Sequence, residues 1–249
     1  MSEKRVIADN MSQNYILYKY NNITFFCHKI YISKKREYNR SMNTINYLKE
    51  TYGYGVPILL KNIHIGGKSK TSIRKDLSRG VENGLIIRKG QGVYCFKEDE
   101  AYLDGVTFES VIEKKYLKDD YGLPGLNLDV YGYVTGLSFL NQLGISQQVP
   151  AVLEVVTNNT SCKRIIKIKN RVAIIRKGKI KIDRFNYRIL QFFDIFYTLD
   201  KDEVKDNRDI LEKYIHDNFS KVDFERYISL YPLKTIKIIV ESGIINAFR

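Results

Sequence analysis

The segment between Lys61 and Lys97 constrains the fold most, because it reads as a positively charged helix followed by a short β-hairpin. A glycine turn precedes Ser69, a plausible N-cap, and Gly84 supplies the residue type that closes many helices. Apolar residues recur at every fourth position between these ends, namely Ile73, Leu77 and Val81. The spacing predicts a helix with one apolar face.

The residues on either side of this helix complete a recognisable pattern. Two β-prone runs around Gly90-Gln91-Gly92 predict a hairpin. Upstream, helical spacing predicts one helix over Asn43 to Tyr52, and Pro57 to Ile63 predicts a second, short one with proline in its first turn. Three helices and a hairpin between residues 41 and 98 are typical of a winged helix-turn-helix.

The polar face of the charged helix carries residue types that suit DNA. A recognition helix offers long cationic side chains to phosphates and short polar ones to base edges, from a face that does not pack on its own core. The predicted DNA-binding residues of the helix and the hairpin are Lys68, Ser69, Lys70, Thr71, Ser72, Arg74, Lys75, Ser78, Arg79, Arg88, Lys89 and Gln91. The alternative interpretation is a solvated basic face without a ligand.

The composition favours a polyanionic partner. The 249 residues include 41 Lys and Arg against 28 Asp and Glu, which gives a formal net charge of +13. Neutralised phosphates release counterions, so such a charge strengthens binding to nucleic acid at low salt. Charge alone would also allow RNA or an anionic membrane surface.

The apolar runs and the cysteines of the sequence indicate the cellular compartment of the protein. The sequence has no run of about eighteen apolar residues and no apolar signal core after its first residues, so we expect a soluble, cytoplasmic protein without a membrane partner. Its three scattered cysteines suit a reducing cytoplasm and predict neither a disulfide framework nor a zinc cluster.

The chain divides into four predicted regions. Residues 1–40 are an N-terminal extension, which could be a hairpin or a helix, and residues 41–100 are the winged helix-turn-helix. Residues 101–125 hold a linker helix and a run of helix breakers. Residues 126–249 are a mixed α/β C-terminal domain with a small sheet and a helical tail. The predicted fold class is therefore α+β.

Local patterns predict the elements of the C-terminal domain. A short helix ends at Gly144, and the helical tail runs from residue 187 to residue 248. The strand-like runs between them are Ala151 to Thr157, Arg164 to Lys169 and Val172 to Arg176, with a possible fourth at Lys179 to Ile182.

A second basic surface is predicted on these strands. Its residues are Lys163, Arg164, Lys167, Lys169, Arg171, Arg176, Lys177 and Lys179. Strand alternation places Arg164 with Ile166 on one face and Ile165 with Lys167 on the other, so the charge does not form one clean stripe. It could be a second phosphate-contacting surface or the solvated side of a small sheet.

The segment from Tyr133 to Pro150 resembles the AbiEi-type antitoxins. In that family a winged helix-turn-helix precedes a domain with the signature G-x-x-x-L-N-x-L-G-L-T-x-Q-x-P and a basic β segment. The matching residues here are Gly136, Leu140, Asn141, Leu143, Gly144, Gln148 and Pro150. Ile145 and Ser146 stand where Leu and Thr are usual, and the agreement in domain order covers residues 41 to 240.

The resemblance implies an antitoxin and transcriptional autorepressor of a bacterial type IV toxin-antitoxin system, associated with abortive phage infection. Family members bind inverted repeats of duplex DNA in their own promoter through the N-terminal domain. Their C-terminal domain counteracts a nucleotidyltransferase toxin without needing a stable complex with it. The residues to which the resemblance carries DNA contact are Lys70, Thr71, Ser72, Arg74, Lys75, Arg79, Arg88, Lys89 and Gln91, and it transfers no residue for antitoxicity.

Two alternatives stay open, a basic nuclease and a non-enzymatic RNA-binding module. Asp129 and Glu154 are spaced loosely as in restriction-type nucleases, but that chemistry wants a lysine where Val156 stands. The three histidines have no serine or cysteine partner at a recognisable spacing. The sequence therefore predicts no catalytic residue, metal site or cofactor. An RNA-binding module would need exposed aromatic side chains, which the nineteen tyrosines leave open.

Overall fold

A computed structural model of the chain describes residues 43–96, 105–119, 129–168 and 170–248 and has an α+β fold. The predicted N-terminal extension, residues 1–40, and Lys169 of the second basic surface lie outside the described residues. None of the helices within the described ranges has both the length and the apolar character that crossing a membrane requires.

The N-terminal unit packs two helices against a three-stranded sheet. Its elements are α1 (43–52), β1 (Ile58–Leu59), a 3-10 turn (Leu60–Asn62), α2 (Lys70–Glu82), β2 (Ile87–Gly90) and β3 (Val93–Cys95). The sheet order is β1-β3-β2, and both pairs are antiparallel. The α1 residues Ile45 and Leu48 and the α2 residues Ile73 and Leu77 are buried in one apolar core under the sheet.

Helix α2 begins and ends where the sequence predicts. The Ser69 hydroxyl accepts the Ser72 N–H at 3.1 Å, which satisfies one of the free N–H groups of the first turn. Gly84 follows the helix with φ of +69°, a conformation that other residues adopt only with strain. Ile73 and Leu77 of the predicted apolar face are buried, and Val81 packs at its edge.

The short helix predicted over residues 57–63 is wrong. Ile58 and Leu59 form β1 instead, opposite Tyr94 and Val93 of β3, and only one 3-10 turn follows. An extended backbone points successive side chains to opposite faces of a sheet. Ile58 therefore enters the core under α1 and α2, while Leu59 enters a separate core on the other face.

A helix and a π-helical turn follow the hairpin and contact two cores. Helix α3 (Phe108–Ile112) begins after Thr107, whose hydroxyl accepts the Ser110 N–H at 3.1 Å, and it continues into a π-helical turn (Glu113–Leu117). Val111 packs with β1 and β3 of the N-terminal sheet, whereas Phe108 packs on the C-terminal sheet. The helix predicted as a linker thus belongs to both hydrophobic cores.

The C-terminal unit contains a four-stranded sheet of mixed direction. The elements are β4 (Lys118–Asp119), β5 (Asp129–Val130), β6 (Gly132–Thr135), α4 (Gly136–Gln142), β7 (Val152–Thr157), β8 (Arg164–Ile168) and β9 (Arg171–Lys177). Strands β4 and β5 pair separately, and the larger sheet has the order β6-β7-β9-β8. Strands β7 and β9 are parallel, and the other two pairs are antiparallel.

The fourth strand of this sheet is β6 rather than the segment predicted between residues 179 and 182. The N–H of Ile182 donates to the Asn158 side-chain oxygen at 2.9 Å, and the Lys181 carbonyl accepts from the Asn186 amide at 2.9 Å. Because side chains take these backbone groups, the predicted strand does not form there.

The chain ends in helices that cover one face of the sheet. They are α5 (Tyr187–Ile195), α6 (Lys201–Asp206), α7 (Arg208–Asn218), α8 (Lys221–Tyr227) and α9 (Leu233–Glu241), with 3-10 turns at Ile228–Leu230 and Ile244–Phe248. The predicted helical tail is confirmed. Phe192, Phe193 and Phe196 lie at the centre of its core, which also contains Val134 and Val156 of the sheet.

Candidate nucleic-acid interface

One face of α2 presents polar side chains to solvent. Thr71, Arg74, Lys75 and Ser78 are exposed, and their spacing of three and four residues places them along a single stripe of the helix. Arg79 lies beside this stripe and is half-buried. The first turn of α2 contains no acidic residue. The stripe therefore presents hydroxyls and cations to solvent.

Lys68 lies close to this stripe, but it contacts the protein's own interior. Its ammonium is 2.8 Å from the carboxylate of Asp76, which is only 4 % exposed on the inner side of α2. The hydroxyl of Thr44 in α1 donates to the same carboxylate at 2.6 Å, and Lys68 also donates to Thr44. These contacts join α1 to α2 and give Lys68 a structural role beside its predicted DNA contact.

Lys70 is also engaged by the protein. Its ammonium donates to the carbonyls of Lys61 at 2.9 Å and Ile63 at 2.7 Å, so it ties the start of α2 to the 3-10 turn. Ser69 caps the helix and Ser72 supplies the capped N–H. The predicted set of DNA-binding residues therefore divides into helix-start residues with structural contacts and the exposed stripe.

The hairpin carries the remaining predicted contacts. Arg88 is exposed, Lys89 is half-buried, and Gln91 is exposed at the tip. A register shift between Arg88 and Gly90 marks a bulge in β2, and the Arg88 Nε lies 3.4 Å from the Gly90 carbonyl. The Gln91 carbonyl accepts a hydrogen bond from the Lys115 ammonium at 3.0 Å. The tip is thereby fixed to the π-helical turn.

The second basic surface is divided by its own ion pairs. Arg171 pairs with Glu109 at 2.8 Å, and Arg176 pairs with Glu154. The exposed members among the described residues are Lys163, Arg164, Lys167, Arg171, Lys177 and Lys179. Arg164 stands opposite Ile175, whereas Lys167 stands opposite Val172 on the other face, as strand alternation predicts. These cations therefore face two directions.

Lys179 of the second basic surface contacts the helical tail. Its ammonium donates to the Leu230 carbonyl at 3.2 Å and lies 4.6 Å from the ring centre of Tyr231. It also lies 5.5 Å from the ring centre of Tyr197. Lys179 consequently holds the segment after β9 against the helical tail.

The residues of the signature segment have local structural roles. Gly136 begins α4 with φ of +63°, and a Cβ atom there would lie 3.0 Å from Glu154 Oε1. The Asn141 amide donates to the Ser146 carbonyl at 2.9 Å, which closes the turn after α4, and Leu140 is buried in the core. Glu154, considered above as a nuclease residue, is held by Arg176 beside the start of α4.

Two cations that the sequence pattern did not single out lie close to the hairpin. Lys115 is half-buried, and its pKa is lowered by burial and by the positive charges of Arg164 and Lys61. The Lys61 ammonium lies 4.8 Å from the ring centre of Tyr131. No sequence motif joins Lys61, Lys115 and Arg164, because only the fold brings their elements together.

Comparisons of the chain with protein-family models, with curated proteins and with solved structures found no match.

Proposed function

We propose that residues 43–96 form a winged helix-turn-helix that binds duplex DNA through α2 and the β2–β3 hairpin. The observation that carries this proposal is the exposed stripe of Thr71, Arg74, Lys75 and Ser78 on a helix whose opposite face is buried. A helix fixed in this way can enter a major groove without giving up packing inside the protein. A cytoplasmic location follows from this ligand.

The members of the stripe have different proposed roles. Arg74 can make two parallel hydrogen bonds to a guanine, and the hydroxyls of Thr71 and Ser78 can reach base edges. Lys75, as a point charge on a flexible stem, suits a phosphate. Arg88 of the hairpin can contact the backbone beside the groove. Lys68, which is half-buried, and Lys70, which is exposed, hold the start of the helix through bonds to other parts of the protein. The proposal does not need either as a DNA contact.

We further propose that the chain represses its own promoter and counteracts a nucleotidyltransferase toxin. This part rests on the resemblance of the segment from Tyr133 to Pro150 to the AbiEi-type antitoxins. The helical tail and the C-terminal sheet share a core distinct from the one under α1 and α2, so the two proposed activities fall on separately packed units. Inverted repeats would bind two copies of the chain.

A pair of double variants tests the DNA-binding proposal. Arg74→Ala with Lys75→Ala removes two charges from the stripe, and Lys213→Ala with Lys221→Ala removes two from exposed positions of the helical tail. We expect the first variant to lose about 1 to 3 kcal/mol of affinity for the chain's own upstream DNA, and the control to bind as the wild type does. Equal affinity of all three proteins would overturn the assignment of α2.

Co-expression with a nucleotidyltransferase toxin, which the proposal expects to be encoded beside this chain, tests the antitoxin proposal. Wild-type protein should restore growth when the toxin is induced, and the Arg74→Ala, Lys75→Ala variant should restore it equally while failing to repress its promoter. Absence of rescue by the wild type would contradict the antitoxin role. Loss of rescue in the variant would contradict the proposed division between the two units.

A further inference from the structure

Three cations from three separate elements lie near one another beside the hairpin. Lys61 lies in the 3-10 turn after β1, Lys115 in the π-helical turn after α3, and Arg164 at the start of β8. The Lys61 ammonium lies 4.8 Å from the ring centre of Tyr131, whose hydroxyl donates to the carbonyl of Lys114. Arg164 stands opposite Ile175, which shares a hydrophobic core with Tyr116.

Two hydrogen bonds of 3.0 Å hold Lys115 in place. Its ammonium donates to the Gln91 carbonyl, and the side-chain amide of Asn159 donates to the Lys115 carbonyl. The cluster thus lies on packed backbone between the two sheets.

Among the residues that the structure describes, no carboxylate forms an ion pair that would relieve the mutual repulsion of these cations. Burial lowers the pKa of Lys115, and the charges of Arg164 and Lys61 lower it further. Within residues 43–96, 105–119, 129–168 and 170–248, none of the three cations is in an ion pair. The two glutamates of α3 and its π-helical turn are engaged elsewhere, Glu109 by Arg171 and Glu113 by Lys118.

A bound anion would turn the net repulsion among these three cations into net attraction. Like charges placed together destabilise the empty protein, whereas an anion between them attracts all three cations at once. Lys61 and Arg164 are exposed, so a phosphate group can reach the cluster from solvent. Lysine and arginine together are the side chains that most often hold phosphates.

We propose that Lys61, Lys115 and Arg164 bind a phosphate group, and that this phosphate belongs to the backbone of the same duplex that α2 and the hairpin contact. The inference rests on the proposed DNA binding for the source of the phosphate. The hydrogen bond from Lys115 to Gln91 places the cluster at the hairpin tip, where a duplex lying against the hairpin passes. The C-terminal sheet then contributes to DNA affinity through Arg164.

The salt dependence of DNA binding tests this proposal. We compare the wild type with a junction variant, Lys61→Gln, Lys115→Gln and Arg164→Gln, and with a charge-matched control, Lys201→Gln, Lys213→Gln and Lys221→Gln. One phosphate contact contributes about 0.9 to the slope of log affinity against log salt. We expect the junction variant to lose about one unit of slope, and to bind roughly eightfold more weakly at 0.1 M salt. The control should match the wild type.

Two further variants separate charge from structure. Lys115→Gln also removes the hydrogen bond to the hairpin tip, so Arg164→Gln, which leaves that bond intact, must by itself reduce the slope. Lys115→Arg retains the charge and a donor and should bind as the wild type does. An unchanged slope in Arg164→Gln would overturn the proposal, whatever the slope of the junction variant.

The source of the phosphate is tested by titrating inorganic pyrophosphate into the wild type and the junction variant by calorimetry. If pyrophosphate binding requires the cluster while the DNA slope does not, the cluster binds a free phosphate compound and the duplex assignment is overturned. If Arg74→Ala with Lys75→Ala leaves DNA binding unchanged while the junction variant weakens it, the α2 proposal fails and the phosphate site stands. If instead Arg74→Ala with Lys75→Ala weakens DNA binding while the junction variant leaves it unchanged, the phosphate site is overturned and the α2 proposal stands.

Discussion

The ammonium of Lys68 lies 2.8 Å from the carboxylate of Asp76, which is buried on the inner face of α2. Thr44 of α1 donates to the same carboxylate at 2.6 Å. The position of the exposed stripe therefore depends on a polar contact beneath it as well as on apolar packing. Lys68, although it lies beside a basic helix, thus helps to hold that helix in place.

Replacing Asp76 with alanine should destabilise the fold. The change leaves the Thr44 hydroxyl and the Lys68 ammonium without their shared acceptor, at a cost of about 2 to 3 kcal/mol of unfolding free energy. Urea unfolding followed by circular dichroism measures this loss. Asp217→Ala, at an exposed position of α7, is the control and should unfold as the wild type does. Equal midpoints for the two variants would show that the buried contact contributes nothing.

Lys75 and Lys70 should respond differently to the same substitution. Lys75→Met should reduce the salt slope of DNA binding by about 0.9 without changing thermal stability, because that side chain is exposed on the stripe. Lys70→Met should lower the melting temperature, because it releases the carbonyls of Lys61 and Ile63. Anisotropy titrations and thermal melts of both variants check this. A slope change in Lys70→Met equal to that of Lys75→Met, without loss of stability, would count against the structural assignment.

Gly136→Ala should destabilise the protein more than Gly144→Ala. Both glycines have positive φ, +63° and +78°, so alanine costs about 1 kcal/mol at either position. A Cβ at position 136 also meets the Glu154 carboxylate at 3.0 Å, whereas no atom lies within 4 Å at position 144. Denaturant unfolding of the two variants measures the difference. Indistinguishable losses would mean that Glu154 moves aside freely and that its pair with Arg176 is of no consequence for stability.

Asp194 should give the stability of the C-terminal unit a specific pH dependence. Burial raises the pKa of this carboxyl. Hydrogen bonds from Tyr133 and Tyr231, and the charges of Arg176 and Lys179, lower the pKa only in part. The folded protein thus holds the proton more tightly than the unfolded chain does. The stability that this group contributes is complete below its unfolded pKa and is lost as pH rises through its raised folded pKa.

Asp194→Asn removes that titration and retains an oxygen that can accept the Tyr133 hydroxyl, which now lies 2.9 Å from the carboxylate. The melting temperature of the variant relative to the wild type should therefore rise with pH over the range from about pH 4, the pKa of an aspartate in the unfolded chain, upward. Thermal melts across this range provide the measurement. A difference that stays constant with pH would show that Asp194 has an ordinary pKa in the folded protein.

Local signals in the sequence predict local structure well. Ser69 and Gly84 mark the ends of α2, and the alternation of Arg164 to Lys167 predicts which residues of β8 share a face. The strand at Ile58 and Leu59 is not predictable in this way, because it forms only where β3 lies beside it. Strand β6 was missed for the same reason. Its four residues become a strand by pairing with β7.

The candidate site also has one part that local sequence patterns predict and other parts that only the fold creates. The exposed stripe follows from helical periodicity, since residues 71, 74, 75 and 78 share the face opposite Ile73 and Leu77. The internal contacts of Lys68 and Lys70 depend on α1 and on the 3-10 turn, and no spacing within α2 predicts them. The cluster of Lys61, Lys115 and Arg164 is still less accessible to sequence reasoning, because its members belong to three elements distant in the chain.

Binding to two duplexes tests the central claim most directly. The purified protein is titrated, by fluorescence anisotropy and across a range of salt, against its own upstream DNA and against scrambled DNA of equal length. The account predicts tight binding that persists at physiological salt on the upstream sequence alone. Equal and equally salt-sensitive binding to both duplexes would contradict it, because the basic surfaces would then attract any polyanion and α2 would read no sequence.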